Sequence, residues 1–121
     1  MQYLCLIYSA DSAEPKPGTP EFGVLMQDYQ KFTDEVTASG QLVNANALQP
    51  VTTATTVTTE NGKVEVTDGP FAETKETLGG YYLLDCASLD DAIEQSARIP
   101  TAAHGRIEIR PIMDLDNLKN N

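Results

Sequence analysis

The chain has 121 residues, 40% hydrophobic and 21% charged, a composition that suits one globular domain of ordinary size. Eighteen acidic against eight basic residues give a formal charge of −10, and a field of that sign repels phosphate, so nucleic acid and membrane are excluded as expected partners. No apolar run is long enough to span a bilayer, and MQYLCLIYSA lacks the basic flank of a signal peptide, so a cytoplasmic protein is expected. The stretch QYLCLIY (2–8) predicts a strand that is apolar on both faces, with Tyr3, Cys5 and Ile7 opposite Leu4, Leu6 and Tyr8. A loop rich in Pro and small polar residues follows over 9–18.

Thr19 reads as an N-cap and Pro20 as the first helical residue. Phe22, Leu25, Tyr29, Phe32 and Val36 then recur at spacings of three and four, which predicts an amphipathic helix ended by Gly40. QLVNANAL (41–48) predicts a second strand, with Val43, Ala45 and Ala47 opposite Leu42, Asn44, Asn46 and Leu48. Two β-branched runs flank Asn61-Gly62, the pair that suits a type I′ turn, and predict a hairpin over 53–67. GGYYLLDC (79–86) continues as a strand, SLDDAIEQSARI (88–99) as a helix opened by the capping pair Ser88 and Asp91, and GRIEIRPI (105–112) as the last strand. Residues 1–113 are expected to form the single domain and 114–121 a loosely held tail. Cys5 and Cys86 lie in apolar runs without a CxxC spacing and read as reduced packing residues.

Apart from the hairpin, the order is strand, helix, strand, strand, helix, strand. Two right-handed split β-α-β units of this kind give an α+β fold, a ferredoxin-like antiparallel sheet with two helices on one face. The first strand is then central, and its second apolar face needs a cover that no remaining segment supplies. A second copy placed sheet against sheet, a homodimer forming a dimeric α+β barrel, is the expected cover.

The densest motif is TDGPFAETKETLGGYY (67–82). Together with LQPVTTATTV upstream and ARIPTAAHGRIEIRPI downstream, it resembles the YCII-related family in its DGPF branch, from Tyr3 to Ile112. The resemblance implies a ferredoxin-like fold and a dimeric α+β barrel. It implies no particular activity, because most members have none assigned; some are described as transcription-related, and fold relatives include muconolactone isomerase-like and dehydrochlorinating enzymes of small cyclic compounds. Members of the wider family resemble one another in a helix histidine and an aspartate that suggest an acid/base pair. Tyr29 stands where that histidine falls.

Asp68 has two readings, as a carboxylate that caps the following Gly-Pro turn through backbone N–H groups and as a general base. His104, the single histidine, is the one side chain suited to carry a proton near neutral pH. Asp68 and His104 are therefore the catalytic candidates. Tyr29, Asn46, Tyr82 and Arg110 are the candidate pocket residues, with the pocket expected between the sheet and the dimer partner, where Asn44, Asn46, Arg106, Glu108 and Arg110 point. Phe71 is expected as a plug under its loop, and Gly79 and Gly80 as a close backbone approach. No cofactor and no metal are expected, since ligand spacings, a phosphate-binding glycine loop and G-x-S-x-G are absent from the sequence. The expected function is that of a small-molecule enzyme or ligand-binding protein. The alternative is an interaction module in which the DGPF loop and acidic surface contact a protein linked to transcription regulation.

Overall fold

The first strand, β1 (Gln2–Ser9), has hydrogen-bonded neighbours on both edges, and its residues alternate between buried and half-buried as a central strand requires. The structure, a computed structural model, describes residues 1–119. After β1 a single 3-10 turn (Asp11–Ala13) leads to α1 (Pro20–Ala38). The helix starts where expected: Thr19 Oγ1 accepts the Phe22 N–H at 3.3 Å, and Pro20 occupies a position whose missing N–H leaves nothing unpaired. It stops at Gly40, whose φ of +77° allows its N–H to reach Thr37 O at 3.1 Å and that of Gln41 to reach Val36 O at 3.0 Å, the two bonds of a Schellman motif.

Next come β2 (Leu42–Ala47), the hairpin strands β3 (Thr55–Glu60) and β4 (Lys63–Asp68), then β5 (Thr77–Asp85), α2 (Leu89–Ala97), a 3-10 turn (Pro100–Ala103), β6 (Arg106–Pro111) and α3 (Leu115–Lys119). Asn61 and Gly62 both adopt positive φ, 51° and 78°, as the expected hairpin turn demands. Ser88 Oγ caps α2 by accepting the Asp91 N–H at 3.2 Å, while Asp91 reaches back to the Ala87 N–H at 3.1 Å. Residues 115–119 are helical where a loose tail is expected: Asp114 accepts the Asn117 N–H through its carboxylate at 3.0 Å and the Leu118 N–H through its carbonyl at 3.2 Å. Residues 120 and 121 of that tail lie outside the described residues.

The main sheet has the order β2-β5-β1-β6, antiparallel at every pairing, which gives an α+β fold compatible with the ferredoxin-like expectation. Tyr3, Cys5 and Ile7 of β1, Tyr82 and Leu84 of β5, Phe32 and Val36 of α1 and Ala92 of α2 form one core, so both helices cover the same sheet face. Phe32 meets Tyr82 edge to face with ring centroids 5.0 Å apart. On its outer side the Arg98 guanidinium lies 5.7 Å from the Phe32 centroid and pairs with Glu35. Burial of each large apolar side chain here contributes about 1.5–3 kcal/mol. Cys5 and Cys86 are both buried and free.

The sheet departs from simple alternation in two places. β2 shifts register between Leu42 and Asn44, so Leu42, paired with Leu84, and Ala45, paired with Tyr82, both join the core face. The expected parity, with Leu42 on the side of Asn44 and Asn46, fails because the bulge at Val43 absorbs one residue. β5 shifts between its pairings of Gly80 with Ile7 and Leu78 with Tyr8, which leaves Gly79 as the extra residue. The hairpin β3-β4 is a separate two-stranded sheet.

Candidate functional site

β1 ends at Ser9, and the 3-10 turn after it carries Glu14 back over the strand end. Ser9 Oγ donates to Glu14 Oε1 at 2.6 Å. The turn Pro100–Ala103, set by proline at its start, brings His104 to the same carboxylate, with Nε2 3.4 Å from Oε1. Gly105 makes this convergence possible. A Cβ there would lie 2.2 Å from Tyr8 O and 3.0 Å from both Ser9 Cβ and Thr101 Cγ2, so only glycine lets the turn sit against the end of β1.

A cavity of about 420 Å³ opens beside this cluster, between α1 and the β2-β5 edge of the sheet. Ile7, Leu25, Met26 and Ala45 supply apolar wall, and Glu14, Tyr29 and Thr101 supply polar groups. Tyr29 Oη and Thr101 Oγ1 are 2.5 Å apart. Tyr82, whose ring is parallel to that of Tyr29 at 6.5 Å, bonds Thr33 Oγ1 at 2.7 Å. Burial pushes the Tyr29 phenol above its ordinary pKa against the opposing pull of its Thr101 bonds, and Tyr82 and the Glu14 carboxylate add to the rise. Burial likewise raises Tyr82, against the bond to Thr33. Both phenols are therefore neutral hydroxyls at physiological pH, able to donate a hydrogen bond. On the other side of α1 a wider, open groove of about 970 Å³ runs past Asp28, Arg98 and His104. His104 lines this groove, its side chain 28% exposed, and reaches Glu14, which lines the smaller cavity.

Three of the candidate pocket residues, Tyr29, Asn46 and Tyr82, line this cavity, which lies on the helix side of the sheet and not on the opposite face, where the pocket was expected. Arg110 does not. It stands on β6 opposite Leu4, on the sheet face away from the helices. Asn46 lies on the edge strand and bonds the Tyr81 hydroxyl at 2.9 Å. The two catalytic candidates are not brought together: no hydrogen bond or ion pair joins Asp68 and His104 among the described residues. Asp68 is exposed at the end of β4, and among those residues its carboxylate bonds nothing. The turn it was expected to cap is held otherwise, by the Gly69 N–H on Ala54 O at 2.7 Å and by Thr56 Oγ1 on Gly69 O at 2.7 Å. Phe71, expected as a plug, is 90% exposed. No group of three metal-ligating side chains is gathered among the described residues.

Sequence reasoning missed Glu14, Ser9 and Thr101. Glu14 sits in a Pro-rich loop with no periodicity to draw attention, and its one legible signal is its position just beyond the end of a central strand, where loops carry function on a rigid scaffold. Thr101 lies three residues before His104 in a stretch read only as the link between α2 and β6.

Residues 1–116 match the family model of the YCII-related domain. The chain belongs to the YCII-related family. This YCII-related protein is also 37% identical over 114 residues to an uncharacterised protein of Rhizobium meliloti (strain 1021), a match that covers 93% of this chain and 92% of the relative. No helix of the YCII-related chain is long and apolar enough to cross a membrane among the residues described.

Proposed function

We propose that this YCII-related protein binds a small molecule, as an enzyme or a ligand carrier, in the cavity beneath α1. The observation that carries the reading is the composition of that cavity: apolar walls from Ile7, Leu25 and Met26 with a carboxylate and hydroxyls converging on it, the pattern of a small-molecule site. Met26, 42% exposed, stands at the rim and can accept a larger side chain without disturbing the core. The test is a thermal-shift screen of neutral ring compounds against the wild type and Met26→Trp. Compounds that raise the wild-type melting temperature and leave the plugged variant unmoved support the reading; compounds that stabilise both equally, or a screen without binders, sink it.

The sheet face opposite the helices is assigned to a second copy, in a homodimer of the dimeric α+β barrel kind on a ferredoxin-like subunit. Leu4, Leu6 and Leu83 form a half-buried apolar stripe there, with Arg106 and Arg110 on one flank and Asn44 and Asn46 on the other. Light scattering checks it, since a monomeric mass that persists as concentration rises removes the dimer. A second reading, an interaction module, draws on the exposed Phe71 and on Val57, Val64 and Val66, which share one face of the hairpin and are all exposed. Serine substitutions of those valines that leave ligand shifts and mass unchanged would reserve the hairpin for another protein.

A further inference from the structure

Among the described residues, Glu14 is the one charged residue that lines the cavity. Ser9 and His104 both hold its Oε1, at 2.6 and 3.4 Å, and no described residue bonds Oε2. A carboxylate fixed through one oxygen leaves the other as a proton acceptor of defined aim. Tyr29 lines the same cavity as a neutral phenol, its oxygen in contact with Thr101 Oγ1. When the phenol turns its proton toward a ligand, Thr101 can donate to the phenol oxygen in its place. An acceptor and a hydroxyl donor within apolar walls are the two groups required to move a proton on a carbon next to a carbonyl.

We propose that the cavity takes a small, neutral ring ketone, that Glu14 removes a proton from the carbon beside its carbonyl, and that the Tyr29 hydroxyl binds the carbonyl oxygen. This rests on the reading of the cavity as the ligand site. In the forward step the C–H bond breaks, its electron pair forms the new C=C bond, the carbonyl π pair moves onto oxygen, and the proton goes to Glu14 Oε2. Return of that proton to the same carbon regenerates the ketone, and its return to the far end of a conjugated system gives an isomer. Neither outcome consumes an oxidant, a reductant or water. The formal charge of −10 agrees with a neutral substrate, because an anionic one would meet a repelling field.

The test uses β-tetralone, a neutral bicyclic ketone with exchangeable protons beside its carbonyl, and its hydrocarbon counterpart tetralin. Calorimetry measures binding, and proton NMR in deuterium oxide measures exchange. The expected result is that β-tetralone binds and exchanges at least about 10²-fold faster than in buffer, in line with the contribution of a positioned acid or base. Glu14→Gln, checked for folding by its melting curve, should bind the ketone and lose the acceleration; Tyr29→Phe should weaken binding of the ketone while leaving tetralin unaffected. Bound β-tetralone that exchanges at the buffer rate, or an acceleration that survives Glu14→Gln, overturns the proposal and leaves the cavity as a binding site. Failure of both compounds to bind overturns the proposal together with the reading on which it rests.

Discussion

Replacement of Gly105 by alanine is expected to destabilise the protein strongly and to loosen the Ser9-Glu14-His104 cluster. The new Cβ would lie 2.2 Å from Tyr8 O and 3.0 Å from Thr101 Cγ2. Extra methyl groups in packed regions cost about 1–3 kcal/mol when side chains can yield. Here the nearest atom is a main-chain carbonyl of β1, a strand held on both edges by β5 and β6, so relief requires the turn to lift off the sheet. The cost should therefore reach about 3 kcal/mol, which in a domain of this length lowers the melting temperature by about 10 °C. Gly79→Ala is the control, because its Cβ would meet only Ile7 O at 4.0 Å, and it should stay within about 1 kcal/mol of wild type. Urea and thermal melts of both variants give the comparison. If Gly105→Ala melts within about 2 °C of wild type, the turn can separate from β1 at little cost and the steric account of the site is wrong.

Gly23, inside α1 with open space where a Cβ would be, should give a gain of about 0.5–1 kcal/mol on replacement by alanine, and a loss in urea unfolding would contradict it. Asp68→Ala and Asp68→Asn should both remain within about 0.5 kcal/mol of wild type, since the carboxylate bonds none of the described residues; a loss confined to alanine would restore the turn-capping role. The Cys86 thiol is pushed up from 9.0 to about 11, first by burial and then by the Asp91 carboxylate beside it. Its native pKa exceeds the unfolded one, so the stability it contributes, at most about 3 kcal/mol, is present below pH 9 and is lost as pH rises toward 11. Cys86→Ala should flatten that alkaline decline in melts taken across this window, and an unchanged slope would remove Cys86 as its source.

Helix ends and the hairpin turn were legible because each depends on the chemistry of one or two residues. Thr19 needs only its hydroxyl, Gly40 its freedom at positive φ, and Asn61-Gly62 the same freedom twice. The bulge at Val43 was not legible, because whether a strand absorbs an extra residue is decided by the partner it pairs with. The site divides along the same line. Tyr29 and Tyr82 could be singled out as aromatic residues on patterned elements. Glu14 could not, since its partners lie at positions 9 and 104 and only the folded order of β1, β6 and the turn before it brings them together.

The motif at residues 67–82 contributes to the site through its second half. Its Asp-Gly-Pro-Phe half lies at the hairpin exit, with Phe71 in solvent and Asp68 exposed and bonded to none of the described residues. From Glu76 onward it enters the sheet: Glu76 accepts from Arg106 Nε at 2.7 Å, which ties the start of β5 to the edge strand β6. Gly79 supplies the bulge residue, and Gly80 lets β2 approach, since a Cβ there would stand 2.7 Å from Asn46 O. That approach closes the cavity along its β2 side, where Gly79, Gly80, Tyr81 and Tyr82 all form lining. A side chain at Gly80 would push β2 away and open the wall, whereas a change at Asp68 meets only solvent. The stretch that carries Asp68 therefore leads into the wall of a cavity whose one carboxylate among the described residues, Glu14, comes from the loop after β1.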